Sequence, residues 1–220
     1  MNSVADAFGL PFRDPGWVGK IAVQGLIFII PIVGWIAGVG WLVITFENYR
    51  SGRYELAPAG FHLGRGIGLF VVVFVYGLVL DVPALILDGI GASMNAHEQF
   101  SGAAFSGLGN LLGFLAELAL YFLLPSLIIS TYRGGFNGGF DVAKVWAMAT
   151  SNPSNSVIAG LVVFVSGIIA ALGIIACCVG VLFTSVYAFA IQAGVAAWFE
   201  GTQGAPAAPA MPPPPPTPAA

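Results

Sequence analysis

The stretch from Ile29 to Arg53 constrains the fold most strongly, because two apolar runs joined by a Pro-Ile-Val-Gly break end abruptly in charged residues. A similar unit runs from Ile174 to Glu200. Of the 220 residues, 58% are hydrophobic and only 8% are charged, whereas soluble domains carry about 25% charge. So little charge cannot cover a soluble domain of this size. The sequence therefore predicts an integral membrane protein.

Apolar runs separated by breaks predict an all-α bundle of about six transmembrane helices, at roughly residues 16–30, 33–49, 66–87, 106–131, 156–175 and 181–199. Residues 1–15 form a polar N-terminal lead, residues 16–200 the transmembrane domain, and residues 201–220 an Ala- and Pro-rich tail that we expect to be disordered. The segment at 140–149 carries Asp141 and Lys144 on one helical face, which predicts a short helix lying in the membrane interface.

The positions of lysine and arginine favour six spans over five. If the break at Pro31 makes no turn, one helix covers 17–47, and the seven basic residues divide two against five between the two sides. With six spans, the turns at 31–34 and 176–180 and the loop 88–105 face outward. All seven basic residues then face inward: Arg13, Lys20, Arg50, Arg53, Arg65, Arg133 and Lys144. The positive-inside rule favours this arrangement, with both termini cytoplasmic.

The first two predicted helices are short for full spans. About fifteen residues of helix rise about 22 Å, whereas the hydrocarbon core is about 30 Å thick. The sequence leaves open whether these helices cross with little tilt, thin the bilayer or form a re-entrant hairpin. In each case the turn that holds Cys177 and Cys178 is expected to face outward.

Three polar residues within the predicted helices form a candidate intramembrane polar site: Glu117, Asp81 and Gln192. A charged side chain at the centre of a bilayer costs about 2.5–3.5 kcal/mol on insertion scales. We therefore expect Glu117 to point into the bundle, close to polar atoms of the third or sixth predicted helix. Two interpretations stay open, namely a substrate or proton site and a buried hydrogen-bond cluster that orders the bundle.

Small residues at a four-residue spacing indicate where helices approach one another closely. The candidate helix-packing positions are Gly34 and Gly38 in the second predicted helix and Gly109 and Gly113 in the fourth. Packing within the bundle and dimerisation through one of these faces both fit the spacing.

No catalytic, cofactor or metal motif stands out in the sequence. His97-Glu98 lacks the HExxH pattern, and the adjacent Cys177 and Cys178 offer too few ligands for a metal site. The scattered basic residues do not form a nucleic-acid-binding patch. We therefore expect a protein that is not an enzyme and holds no cofactor or metal. Its expected partners are the lipid bilayer and either another membrane protein or a second copy of the chain.

A faint repeat links two short segments, 49–52 (Tyr-Arg-Ser-Gly) and 132–135 (Tyr-Arg-Gly-Gly). Each segment ends a predicted helix on the inner face of the bundle. Internal duplication and chance both explain matches as short as these.

The chain carries a recognisable series of Gly, Pro and aromatic residues. It begins with Asp14-Pro15-x-Trp17 and continues through an Ile-Pro-Ile-x-Gly break at 30–34, a Gly40-Trp41 pair, a basic helix end and Leu56-x-Pro58. Further along come Leu124-Pro125 within a helix, the Phe140-Asp141 segment and a final hairpin with Val179-Gly180 at its turn.

Over about residues 9–200, this series resembles the prokaryotic membrane family known as domain of unknown function 4013. The resemblance implies a multi-pass helical fold in the plasma (inner) membrane of a prokaryote and brings no established activity with it. One departure is Trp41, where the family pattern leads us to expect tyrosine.

We interpret the chain as a non-enzymatic accessory or partner-binding component of the membrane. The alternative is a small-solute or proton-coupled transporter that uses Glu117, Asp81 and Gln192, and a membrane-embedded protease or lipid-modifying enzyme comes third. A polar cavity lined by those three residues would favour transport. A dry bundle with one exposed glycine groove would favour partner binding.

Overall fold

The computed structural model describes residues 3–96 and 101–203. All regular secondary structure in this part of the chain is helical, which confirms the all-α prediction. The described residues form eight α-helices: α1 (Asp6–Gly9), α2 (Trp17–Ile27), α3 (Val33–Arg50), α4 (Leu63–Ala96), α5 (Gly102–Phe140), α6 (Val142–Ser151), α7 (Pro153–Leu172) and α8 (Cys177–Gln203). Two 3-10 helices, Leu10–Arg13 and Gly173–Ala176, precede α2 and α8. The predicted tail lies outside the described residues from residue 204 onward.

Four helical segments in the described part of the chain are long and apolar enough to cross a membrane: Leu63–Ala96, Gly102–Phe140, Pro153–Ile175 and Val179–Gln203. They correspond to α4, α5, α7 with the turn that follows it, and α8. The first two predicted spans are not among them. Helix α2 has 11 residues, a rise of about 16 Å, which is far shorter than the hydrocarbon core.

Helices α2 and α3 form a tight hairpin around a turn at residues 28–32. Ile32 adopts a φ of 62°, in the left-handed region that non-glycine residues seldom occupy. Gly34 lets the turn close, because a Cβ at this position would lie 2.8 Å from Phe28 Cα. The Phe28 ring in turn fills the space next to Gly38, where any side chain would overlap it. The candidate helix-packing residues Gly34 and Gly38 therefore allow α2 and α3 to pack closely in this hairpin.

Helices α4 and α5 are longer than expected, because they extend through most of the segment 88–105 that was predicted to be an outer loop. Small side chains keep the two helices in contact there. A Cβ at Gly91 would lie 2.6 Å from Ser106 N, and one at Gly102 would lie 2.7 Å from Asn95 N. The glycines that suggested a loop thus allow two helix backbones to pack closely. His97-Glu98 lies outside the described residues.

Helix α5 is kinked at Gly135, where the backbone leaves helical geometry with a φ of 58°. The residues after the kink pack back against the earlier part of α5 and against α4, so that a Cβ at Gly139 would lie 2.6 Å from a methyl group of Val72 in α4. Helix α6 is held by Val145 and Ala149, which are buried in a small cluster with residues of α4 and α5. Trp146 on its other face is 57% exposed. The predicted short helix exists, but one face packs into the bundle.

Helix α8 forms the centre of the main core, where Ile191, Val195 and Phe199 are almost fully buried. The N-terminal segment packs against the same helix. A Cβ at Gly194 would lie 3.1 Å from the Ala7 side chain, and the Tyr187 hydroxyl donates a hydrogen bond of 2.8 Å to the Phe8 carbonyl. The predicted polar lead is thus part of the folded bundle from α1 onward.

Candidate functional site

A groove of about 560 Å³ runs between α4 and α5 and is lined by these two helices alone. Its polar residues are Asp81 and Asp88 of α4 and Asn110 and Glu117 of α5. Its small residues are Gly77, Ala84, Gly109 and Gly113. Three acidic side chains of candidate membrane spans thus line one groove: Asp81, Asp88 and Glu117.

The antiparallel register of α4 and α5 explains why these side chains meet. A Cβ at Gly113 would lie 3.6 Å from the Ala84 side chain. One turn along, the Asp88 carboxylate lies directly over Gly109, in space that any side chain at 109 would fill. Asp81 and Asp88 are seven residues apart and so lie on one face of α4. The candidate helix-packing residues Gly109 and Gly113 therefore both face α4 of the same chain.

The position of the groove along the candidate membrane spans follows from its contact with α7. The ring of Phe164 packs at 6.4 Å from Phe114 and at 6.0 Å from Tyr121, and Glu117 lies between these two residues in α5. Phe164 is in the middle of α7, which runs from Pro153 to Leu172. The groove therefore lies beside the middle of a candidate membrane span.

Glu117 shares the groove with Asp81, but its side chain is exposed at the surface of the isolated chain. We expected Glu117 to point into the interior of the bundle, and the exposed position of its side chain differs from that expectation. The Tyr121 hydroxyl, one turn further along α5, donates a hydrogen bond to Glu117 Oε1. Tyrosine and glutamate at this spacing face the same side of a helix, so Tyr121 links the groove to the contact with α7.

No basic side chain lines the groove. The whole interval from Gly66 to Tyr132 contains no lysine or arginine. The salt bridges of the described residues join Lys20 to Asp14, Arg65 to Glu47, and both Arg50 and Arg133 to Glu200. None of them involves an acidic residue of the groove. The carboxyl groups of the groove therefore have no lysine or arginine partner in the described part of the chain.

Gln192 lies elsewhere. Its Nε2 donates a hydrogen bond of 3.2 Å to Ser166 Oγ, which ties α8 to α7. It also lines an apolar cleft of about 310 Å³, where Trp35, Phe70 and Leu124 are among the other lining residues. The structure thus brings Asp81 and Glu117 together and leaves the third predicted site residue apart from them.

A second polar network surrounds Asp14, which the sequence singled out only as part of the Asp14-Pro15-x-Trp17 series. The buried carboxylate of Asp14 accepts hydrogen bonds from Lys20 Nζ at 2.7 Å and from the backbone N–H of Gly16 and Leu56, each at 2.8 Å. Lys20 Nζ also donates to the Leu56 carbonyl at 2.9 Å. This network fixes the loop after α3 against the start of α2.

The electrostatics of Asp14 reflect this network. Burial raises the pKa of the carboxyl, but hydrogen bonds from Lys20, Gly16 and Leu56 and the charge of Lys20 outweigh the burial, so that its pKa lies below the usual 3.8. The carboxylate is therefore the stable form at neutral pH, and it holds the loop through an ion pair.

The same loop is held by three further side chains. Trp41 Nε1 donates a hydrogen bond of 2.9 Å to the Ala57 carbonyl, and Thr45 Oγ1 accepts one of 3.1 Å from Ala57 N. Gln24 Oε1 accepts one of 3.0 Å from Gly60 N. Several residues that carried the family resemblance, among them Asp14, Leu56 and Trp41, are thus the residues that pack this loop.

The described residues contain no group of three or more His, Cys, Asp and Glu side chains that would hold a metal ion. The side chains of Cys177 and Cys178 lie outside the described part of the structure, so their outward orientation stays a prediction.

Comparison with known proteins identifies one family. The family model described as "Protein of unknown function (DUF4013)" matches residues 23–179. No curated protein and no solved structure matches the chain. The matched range begins within α2 and ends within α8, so it includes α4, α5 and the groove between them.

Proposed function

The chain belongs to the DUF4013 family of proteins of unknown function, and on that premise we propose that it is a non-enzymatic accessory protein of the membrane that binds a partner through α4 and α5. We call these two helices the α4–α5 hairpin. The observation that carries the proposal is the acidic groove beside the middle of a membrane span, which has no lysine or arginine partner among the described residues. A charged group that faces lipid is costly and is normally covered by protein or water.

Helix α4 is also the least buried of the four candidate spans. Only 17% of its most apolar stretch is buried, compared with 39% for α5, 28% for α7 and 50% for α8. Large apolar side chains stay exposed along both helices, among them Val79, Leu85, Ile86, Leu108 and Leu111. A partner helix would find apolar contacts on both sides of the groove.

The membrane arrangement that we propose has six helices in the order of the chain, with α2 and α3 as a re-entrant hairpin. Both termini then face the cytoplasm in the plasma membrane of a prokaryote, in agreement with the positions of the basic residues. Reporter fusions at residue 55 and residue 205 should both give cytoplasmic signals. Opposite signals at these two sites would contradict the arrangement.

Partner binding can be tested by photo-crosslinking in native membranes. A photoreactive amino acid is placed at Leu85 or Leu108 on the α4–α5 hairpin, and at Leu161 on α7 as a matched control that is 59% exposed. The proposal predicts a discrete protein adduct from the two hairpin positions and none from Leu161. Lipid adducts alone at all three positions would show that no protein covers the hairpin.

Transport is the second candidate, because Asp81 and Glu117 do share one groove. The separate position of Gln192 and the lining by two helices alone argue against a path through the bundle. The variant Glu117→Gln keeps the shape and hydrogen bonding of the side chain without the charge. Proton-coupled transport predicts a stable Gln variant without function in vivo, whereas an ordering role predicts normal stability and phenotype. Glu55→Gln, in an exposed loop, serves as the control.

A further inference from the structure

We propose that the partner of the α4–α5 hairpin is a transmembrane helix of a different protein, and that this helix carries a lysine or arginine at the depth of Asp81 and Glu117. This inference rests on the proposed function and specifies the chemistry of the partner. It is argued from the charge of the groove, the composition of the hairpin and the shape of its surface.

The chain does not supply the missing cation itself. The nearest basic residues along the two helices are Arg65 and Arg133, each sixteen residues and therefore about 24 Å along its helix from Asp81 and Glu117, respectively. Both are already engaged, since Arg65 lies 2.5 Å from Glu47 and Arg133 lies 2.6 Å from Glu200. No lysine or arginine of the described residues therefore pairs with the groove, and in our proposal the cation comes from another molecule.

A second copy of the chain does not fit this face. A symmetric dimer places the same patch of both copies in contact. Because the interval from Gly66 to Tyr132 has no lysine or arginine, such a contact would bring carboxyl groups against carboxyl groups. It would supply neither copy with a cationic partner for its groove. The occupant is therefore a helix of different sequence.

The surface of the hairpin suits a helix as the occupant. Gly77 and Gly113 line the groove without side chains that would fill it, and the exposed side chains of Leu85 and Phe114 line it as well. A basic side chain that enters the groove meets Asp81 or Glu117 and forms charge-assisted hydrogen bonds. The apolar side chains of the partner helix then pack against the exposed side chains of Leu85 and Phe114.

The inference can be tested with the full-length protein in liposomes and three synthetic single-span helices of leucine and alanine. The helices differ only at a central guest position, which is Lys, Glu or Leu. Energy transfer from a labelled helix to the labelled protein measures association. We expect the Lys helix to bind at least about tenfold more tightly than the Leu helix, and the Glu helix no more tightly than the Leu helix.

The matched variant combines Asp81→Asn, Asp88→Asn and Glu117→Gln, which keep the side-chain shapes and remove the charges. It should lose the preference for the Lys helix, while the control Glu55→Gln should keep it. If the triple variant does not purify as a folded protein, the comparison of Lys, Glu and Leu helices on the unaltered chain decides the question alone.

Several results would overturn the inference. One is equal binding of the Lys and Leu helices, and another is a Lys preference that survives in the folded triple variant. A third is energy transfer between copies of the protein, through the hairpin, that exceeds the transfer to the Lys helix. None of these results removes protein adducts at Leu85 in native membranes, so the proposed function and the chemistry of the partner can fail separately.

Discussion

The Nε atom of Arg50 lies 2.8 Å from a carboxylate oxygen of Glu200, which joins the C-terminal end of α3 to the C-terminal part of α8. Arg133 of α5 binds the other oxygen of the same carboxylate at 2.6 Å. The Arg50 guanidinium also lies over the Tyr132 ring, at 5.0 Å from its centroid. The two Tyr-Arg segments of the faint sequence repeat thus converge on one acidic side chain.

Replacement of this acid should loosen all three helix ends. The Glu200 side chain is only 10% exposed, whereas the side chains of Arg50 and Arg133 are 36% and 47% exposed. Solvent weakens such pairs, so we expect Glu200→Gln to lower the free energy of unfolding by about 1 kcal/mol. Thermal unfolding in detergent measures the change. Arg53→Gln, which removes only local contacts with Asn48 and Ser51, should have a much smaller effect.

The network around Asp14 should make stability depend on pH. Because the folded-state pKa lies below 3.8, the ionised carboxylate stabilises the fold above that value, and this contribution is lost as the pH falls through the folded-state pKa. Asp14→Asn should therefore lower the unfolding temperature at neutral pH and make little difference in strong acid. A constant difference between the two proteins at all pH values would contradict this assignment.

The close crossing of α3 and α4 should not tolerate a side chain at Gly66. A Cβ at this position would overlap the Ile36 carbonyl oxygen and lie 2.6 Å from Gly40 N, both of which are backbone atoms that cannot move aside. Gly64, two residues away in the same helix, has no neighbouring atom within 4 Å. We expect Gly66→Ala to reduce the yield of folded protein and its unfolding temperature strongly, and Gly64→Ala to leave both unchanged or slightly raised.

We expect the stability of the fold to depend on both the indole N–H and the size of Trp41. It is fully buried, and its hydrogen bond to the Ala57 carbonyl fixes the loop after α3. Trp41→Phe leaves that buried carbonyl without a donor, at a cost of about 1–3 kcal/mol, in addition to the loss of packing. Calorimetric or fluorescence-detected unfolding measures the loss. The exposed Trp146 provides the control, and an equal effect of Trp146→Phe would show that the loop contact is unimportant.

The sequence predicted the helical class and the positions of most helices, because apolar runs and their breaks are local signals. It misjudged the segment 88–105, since Gly91 and Gly102 are typical of a loop until a second helix is placed against them. Their role depends on the register between α4 and α5, which no single stretch of sequence contains.

The candidate site was predicted in part for the same reason. Asp81 and Glu117 were recognised as polar residues in apolar helices, but Asp88 was missed although it lies seven residues after Asp81 on the same face. Gln192 was grouped with them because composition does not tell which side of α8 faces α7. The contacts of Asp14 were missed because its partner Leu56 is 42 residues away in the chain.

The contacts of α8 have a consequence for the synthesis of the protein. The ribosome adds Glu200 long after Arg50 and 67 residues after Arg133. Tyr187, which donates a hydrogen bond to the Phe8 carbonyl, follows Phe8 by 179 residues. While the chain leaves the ribosome, the N-terminal segment and the ends of α3 and α5 therefore have no final binding site. The main core is complete only when α8 is in place, so a nascent chain that stops before α8 leaves exposed the surfaces of α1, α3 and α7 that α8 covers.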